Sequence, residues 1–329
     1  MKRREFLSSS LLTAAVLASP TRWAWAADEK PAGSNAAALA RRQFGRHAGV
    51  NLSMVGFGGL VLARLDQDAS NRLVAEAVEC GCNYFDVAPK YGDAEVKMGP
   101  ALAPYRKNVF LACKTAQRTA EGAKMEFERS LERLKTDRLD LYQLHHIRKV
   151  DEDVDAVFGP GGAWEFIQQA KKDGRVRFVG FSAHTEEAAM AALDKFEFDS
   201  VMFPISLPIW LKAGFGPKVV EKAKAKGAAV MSIKTLCRQR WPNAPREGAY
   251  EPFKRMWYQP FVDPEEQALS VRWTLTQGTT SLLPPGDAAL HRDAFARGLD
   301  FKPLTDADAK AVAALGQKLD PLFQTGKEP

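Results

Sequence analysis

Asp86, Tyr91, Lys114, His145 and Ser182 bring a carboxylate, a phenol, an ammonium, an imidazole and a hydroxyl to the ends of short apolar runs. One run ends in Phe85-Asp86, with Tyr91 following in Val87-Ala-Pro-Lys-Tyr91-Gly92. The next ends in Cys113-Lys114, the next in Leu144-His145-His146, and the next in Phe181-Ser182-Ala183-His184. A lysine leaving an apolar run needs a counter-ion, because an unpaired buried charge is costly. Asp86, at the end of the preceding run, is placed to supply it. A phenol titrates near pH ~10 when unperturbed, and a neighbouring cation favours the phenolate and lowers that value. Tyr91 with Lys114, the lysine held by Asp86, therefore reads as a tuned proton donor. An imidazole at His145 can hydrogen-bond a substrate oxygen, orient it or relay a proton. A proton delivered to an oxygen, with hydride delivered to its carbon, is carbonyl reduction, and such hydride comes from a cofactor.

These groups must be held by the elements around them. From Leu52 onward, short β-rich runs alternate with helical patterns. The strand-like runs are 52–58, 84–88, 109–115, 139–145, 176–183, 200–206, 228–235 and 281–285. Helices are expected near 69–79, 94–102, 121–134, 164–172, 186–196, 218–226, 264–277 and 288–297, with a last one near 306–319. Such alternation argues for a parallel sheet, and eight units argue for closure into a (β/α)8 TIM barrel. Val109-Phe-Leu-Ala-Cys113 is continuously apolar, as expected of a strand buried on both faces. An open doubly wound sheet is the alternative, but its G-x-G-x-x-G fingerprint is absent, and Gly56-Phe-Gly58-Gly59 lacks that spacing. In a barrel, the carboxyl ends of the strands form the active rim, so the five groups converge there. Adjacent strand residues point oppositely, so only one of His145 and His146 is expected to face the rim.

Phe85-Asp86-Val-Ala-x-x-Tyr91-Gly92, then Lys114, then Leu141-Tyr-x-Leu-His145, then Gly180-Phe-Ser182, resembles the aldo/keto reductase family. The resemblance runs from about Arg41 to about Gly298. It includes an amino-terminal hairpin pattern, Arg42-Gln-Phe-Gly45 to Val55-Gly-Phe-Gly58, which in the family covers the barrel floor. It implies Tyr91 as general acid, Asp86 and Lys114 as its tuning pair, and His145 as the imidazole that orients the substrate. It implies NADP(H) across the rim, with Ser182 near the nicotinamide carboxamide and Gly58, Gly59 and Gly286 on the cofactor side. The pattern departs from the family in places. Ala183 stands where Asn is usual after the serine, and Val201-Met-Phe-Pro204 has no Gln. Ile233-Lys234-Thr-Leu236 resembles the subgroup with Met-Lys-Pro-Leu here, which makes Lys234 a candidate for cofactor phosphate. Pro285-Gly286-Asp287 offers no immediate cation for a 2′-phosphate; Arg292 is the candidate, and Asp287 opposes a phosphate, so NAD(H) stands beside NADP(H). For Lys234 and Arg292 a plain solvated basic residue is the competing reading.

The chain ends and composition frame this domain. Lys2-Arg3-Arg4-Glu5-Phe6-Leu7, an apolar run from Leu11 to Ala18, and Ala24-Trp25-Ala26 follow signal-peptide order. The paired arginines read as a twin-arginine signal over residues 1–26, addressed to the twin-arginine export machinery and giving a periplasmic location. The apolar run is too short to span a bilayer, so no stable membrane anchor is expected. Residues 27–40 read as a polar linker, and 41–329 as the barrel. Half of the formal charge of +6 lies in the first 26 residues, which leaves too little to argue for nucleic acid. Cys80, Cys82, Cys113 and Cys237 form no zinc spacing and no disulfide framework; no metal is expected, and they read as small core residues. The stretch 237–263 carries Trp241, Tyr250, Phe253, Trp257, Tyr258 and Phe261 and reads equally as a lid or a packed aromatic cluster. Two other classes compete with a small-molecule carbonyl reductase. Lys114 or Lys234 can be the Schiff-base lysine of an aldolase, although Asp86 would hold Lys114 charged. A nicotinamide-binding sensor without turnover is the other.

Overall fold

The computed structural model describes residues 38–241, 253 and 256–326. The first 26 residues, read as an export signal, and Tyr250 lie outside them. The chain is packed already at Leu39, whose N–H donates to the Cys80 carbonyl at 2.9 Å. Strands β1 (Arg41–Phe44) and β2 (His47–Ser53) then pair antiparallel. Their turn needs glycine at Gly45: φ is +54°, and a Cβ would strike the backbone of Gly227 and Ala229.

Seven strands follow that run parallel: β3 (Phe57–Gly58), β4 (Tyr84–Asp86), β5 (Phe110–Thr115), β6 (Leu139–Ile147), β7 (Val176–Ala183), β8 (Ser200–Pro204) and β9 (Ala229–Ile233). A small antiparallel pair intervenes, β10 (Cys237–Gln239) with β11 (Gln259–Pro260), before the eighth barrel strand, β12 (Ser281–Leu282). Neighbours in the sheet follow chain order from β3 to β9 and then β12. A parallel bridge between Val55 and Leu282 joins the last strand to the approach of the first and closes the (β/α)8 barrel. Gly56 N–H donates to the Leu282 carbonyl at 2.9 Å, and Leu282 N–H to that of Met54 at 3.0 Å.

The parallel register sorts side chains into two cores, because alternate residues face opposite sides of a strand. The outer core lies between sheet and helices and takes in Phe85, Cys113, Tyr142 and Phe181. The inner core fills the barrel with Tyr84, Phe110, Ala112, Leu141, Phe178, Met202 and Met231, and Phe44, Val50 and Leu52 of the hairpin join it. Phe44 stacks against Phe110 and Phe178 at ring distances of 5.2 and 5.1 Å, near the amino ends of β5 and β7. The hairpin therefore plugs the barrel floor. Asp199, buried at that end, fastens it by accepting from Arg46 at 2.8 Å and His47 at 2.7 Å.

The rim is the opposite end, where each strand turns toward a helix. Side-chain caps start several of these helices: Thr119 accepts from Gly122 N–H, Thr185 from Ala188 N–H, and Asp287 from Ala289 and Leu290 N–H. The expected first strand, 52–58, divides in the structure. Leu52 and Ser53 belong to the hairpin, and only Phe57–Gly58 enters the barrel. A hairpin strand that runs straight into a barrel strand leaves one continuous apolar signal. Five short helical segments also escape a periodicity reading: 3-10 helices at Gly59–Arg64 and Arg106–Asn108, a π-helix at Val150–Asp155 followed by Ala156–Phe158, and a helix at Leu207–Leu211. All four cysteines are free, three of them buried. Among the described residues no helix is long and apolar enough to cross a membrane.

Candidate active site

Strands β4, β5 and β6 place three polar residues above the inner apolar layer. Each stands two positions beyond an inward residue: Asp86 after Tyr84, Lys114 after Ala112, and Gln143 after Leu141. All three are buried. The Lys114 ammonium is ion-paired with Asp86 and also donates to the Val87 carbonyl at 3.2 Å. The second Asp86 oxygen accepts from the Gln143 amide at 2.8 Å and from the Tyr84 hydroxyl at 3.3 Å. Burial works against charge on Lys114, but Asp86 and the Tyr91 phenol outweigh it and hold the ammonium above its usual pKa.

Tyr91 lies over this pair. The Lys114 Nζ sits 5.1 Å from the centre of its ring, and the His145 ring meets it edge-on at 5.7 Å. The expectation of a lowered phenol pKa is corrected here. Burial pushes Tyr91 up, Lys114 pulls it down, and Asp86 pushes it up again, so the balance lies above the ordinary value. Asp86 sits close enough to cancel much of the lysine's charge. His145 is held well below the usual imidazole range, by burial first and then by the positive charge of Lys114 and other neighbours. Its ring is therefore neutral at physiological pH, and its Nδ1 has no hydrogen-bond partner among the described residues.

His146 breaks the simple alternation expected of the strand. Its φ is +58°, β6 is irregular between Leu144 and Ile147, and both His145 and His146 line one cavity of about 650 Å³. The His146 N–H donates to Ser182 Oγ at 2.7 Å. Ser182 thus pins this turn with its lone pair and keeps its own proton to donate. The His184 ring stacks obliquely on His146 at 4.3 Å.

The remaining candidates stand on the other side of the rim, at β9, β12 and β3. Lys234 has a φ of +70°, and its ammonium lies over the rings of Trp257 and Tyr258 at 4.9 and 5.0 Å. Burial lowers its pKa to about 8, and it makes no ion pair with a carboxylate among the described residues. Tyr258 and Phe261 are buried while Trp257 is half exposed, so part of the aromatic stretch is packed core and part overhangs Lys234. Gly58 and Gly59 are explained by close packing: a Cβ on Gly58 would lie 2.8 Å from the Pro284 carbonyl oxygen, and one on Gly59 2.7 Å from the Met98 methyl. At Gly286 the Leu60 side chain fills the same space at 2.9 Å. Arg292 pairs with Glu76 at the surface, through its Nε (2.7 Å) and one terminal nitrogen (3.1 Å). Gln143 and Tyr84 were not among the sequence candidates. Their signal was the two-residue spacing that puts them on the inward face with His145 and Asp86.

The barrel of eight parallel strands is thus plugged by a hairpin and carries a buried Asp-Lys pair beneath a rim tyrosine and a neutral histidine. Residues 54–260 match the model of the aldo/keto reductase family, and the chain belongs to that family. It is 29% identical over 172 residues to the uncharacterized oxidoreductase YqkF of Bacillus subtilis, covering 48% of this chain and 54% of that protein. It is 33% identical over 141 residues to an aldo-keto reductase of Mycolicibacterium paratuberculosis, covering 41% and 48%. The chain thus spans about half the length of the curated relatives it matches. Aldo-keto reductase AKR11C1 from Bacillus halodurans, in its holo form, shares the fold at a TM-score of 0.67 and 21% identity, over 86% of this chain and 98% of that one.

Proposed function

We propose that this protein reduces an aldehyde or ketone to the alcohol with hydride from NADPH or NADH, Tyr91 donating the proton. The observation that carries this reading is the buried Lys114–Asp86 pair set beneath the Tyr91 ring, with a neutral His145 facing it. Lys114 stays charged and stabilises negative charge as it develops on the phenol oxygen. Asp86, Gln143 and Tyr84 hold that lysine in place. A neutral imidazole at His145 presents one N–H donor to a carbonyl oxygen without competing for the transferred proton.

The rim offers groups that suit a nicotinamide cofactor. The Lys234 ammonium, over Trp257 and Tyr258, suits an anionic cofactor group, and the Ser182 hydroxyl keeps a donor for an amide oxygen. The cofactor, when bound, supplies the hydride. Schiff-base chemistry at Lys114 is disfavoured, because its pairing with Asp86 opposes the neutral amine such chemistry requires. Residues 1–26 carry the proposed twin-arginine export signal, and with it a periplasmic location. The order of basic, apolar and small-residue segments supports this part of the reading.

Tyr91→Phe tests the proton donor. Turnover should fall by about 10²–10⁴-fold, the usual contribution of a positioned acid, while cofactor affinity, read by fluorescence titration, stays close to that of the parent. Full activity in this variant would remove Tyr91 from the reaction.

A further inference from the structure

The cavity beside His145 is lined by residues that follow β4, β5 and β6, and Lys234, Gly286 and Gly58, at β9, β12 and β3, do not line it. Its wall is made of charge. Lys90, Arg118, Arg148 and Lys149 face it, together with the two carboxylates of Glu152 and Asp153. Both imidazoles on the wall have lowered pKa values, so the neutral rings add no charge to it.

The wall is braced as well as charged. Arg118 donates through Nε to Asp153 at 2.8 Å and through a terminal nitrogen to the His145 carbonyl at 2.9 Å. Asp153 accepts from the backbone N–H of Arg148 at 2.7 Å and of Lys149 at 2.9 Å. It does so from the π-helix Val150–Asp155, an irregular turn of a kind that recurs at functional sites. Lys149 is tied to Glu152 at 2.6 Å. Lys90 is exposed and makes no ion pair among the described residues. One carboxylate thus fixes Arg118 against the strand that carries His145, and the other terminal nitrogen of Arg118 is buried there without a hydrogen-bond partner among the described residues.

We propose that the substrate is an anionic carbonyl compound, its carboxylate or phosphate seated against Arg118 and Lys90 while its carbonyl lies between Tyr91 and His145. This rests on the reductase reading, since the cavity is placed by its contact with His145. A charged hydrogen bond in such a seat should give roughly a tenfold or greater preference.

The test uses the full chain with NADPH and, in parallel, NADH, and two matched pairs: 4-carboxybenzaldehyde against 4-methylbenzaldehyde, and glyceraldehyde 3-phosphate against glyceraldehyde. The anionic member of at least one pair should be favoured about tenfold in kcat/KM at low salt, and the pair that responds identifies the head group. Lys90→Gln and Arg118→Gln should each narrow that preference severalfold, and raised salt should narrow it in the parent, as screening requires. Because Arg118→Gln can also disturb the His145 strand, Lys90→Gln and the salt series carry the test independently. Lys172→Gln, an exposed change on the helix Ala163–Lys172, should leave the preference as it was. Turnover with no charge preference in either pair overturns the anion seat and leaves the reductase reading standing. No turnover of any of the four compounds overturns the reductase reading, and the anion seat with it.

Discussion

Lys114 is fully buried and its ammonium has one carboxylate partner, so each member of the pair is costly without the other. Lys114→Met would leave the Asp86 carboxylate buried against Tyr84 and Gln143 alone. Breaking a buried pair in this way costs about 3–5 kcal/mol, which urea denaturation should register together with lost turnover. Asp86→Asn combined with Lys114→Met should recover much of the stability and none of the activity. A Lys114→Met protein as stable as the parent would mean the pair is not closed in solution. The residue types of this site were legible in the sequence because each ended an apolar run. The balance of forces on them was not. The cation that lowers the Tyr91 pKa is visible as Lys114, but the desolvation and the Asp86 charge that outweigh it depend on distances that only the folded barrel sets. The pairing of Arg292 with Glu76 joins residues far apart in the chain, so no local pattern announced it.

At the scale of elements, the alternation of apolar runs and helical stretches carried most of the barrel, because parallel strands buried on both faces leave a strong signal. The hairpin at the barrel floor was legible from the family pattern, while the π-helix and the left-handed turn at His146 left a weak signal, since each breaks a period that sequence reading relies on. The last barrel helix, Ala288–Leu299, also carries a group whose behaviour follows from packing. His291 is buried against Phe57 and Phe295, and burial lowers its pKa to about 4 despite bonds to nearby carbonyls. Its folded-state value is depressed, so the unfolded chain takes up the proton first as the medium is acidified. The stability this group contributes is complete above about pH 6.5, its unfolded value, and is lost progressively as pH falls toward 4. Across that window the loss is about 3 kcal/mol. Replacing His291 by Gln should therefore narrow the stability gap to the parent by about 2–3 kcal/mol between pH 7.5 and 4.5, measured by urea denaturation at both values. A gap that does not change with pH would show that His291 is protonated in the fold.

At the scale of the whole molecule, the rim divides into two sides. One carries Lys234 with its aromatic neighbours, and the other a basic cavity, with Tyr91 and His145 between them. Lys234 and the aromatic stretch were legible in the sequence, whereas Lys90 and Arg118 of the basic cavity carried no motif, and the division appears only once the sheet closes through Val55 and Leu282. The export proposal belongs to this scale too. Expressed with an intact twin-arginine system, the protein should appear in the periplasm with Ala27 as its first residue. Arg3→Lys with Arg4→Lys should hold the precursor in the cytoplasm, as fractionation and intact mass would reveal. Unchanged export of that variant would contradict the twin-arginine assignment.

The central claim is that the barrel rim binds a nicotinamide cofactor and passes its hydride to a carbonyl carbon. The most direct test is fluorescence titration of the full chain with NADPH and NADH, run beside absorbance at the nicotinamide band with a panel of aldehydes and ketones. Saturable binding of at least one cofactor, with oxidation that depends on added carbonyl compound, is the predicted result. No binding of either cofactor would contradict it.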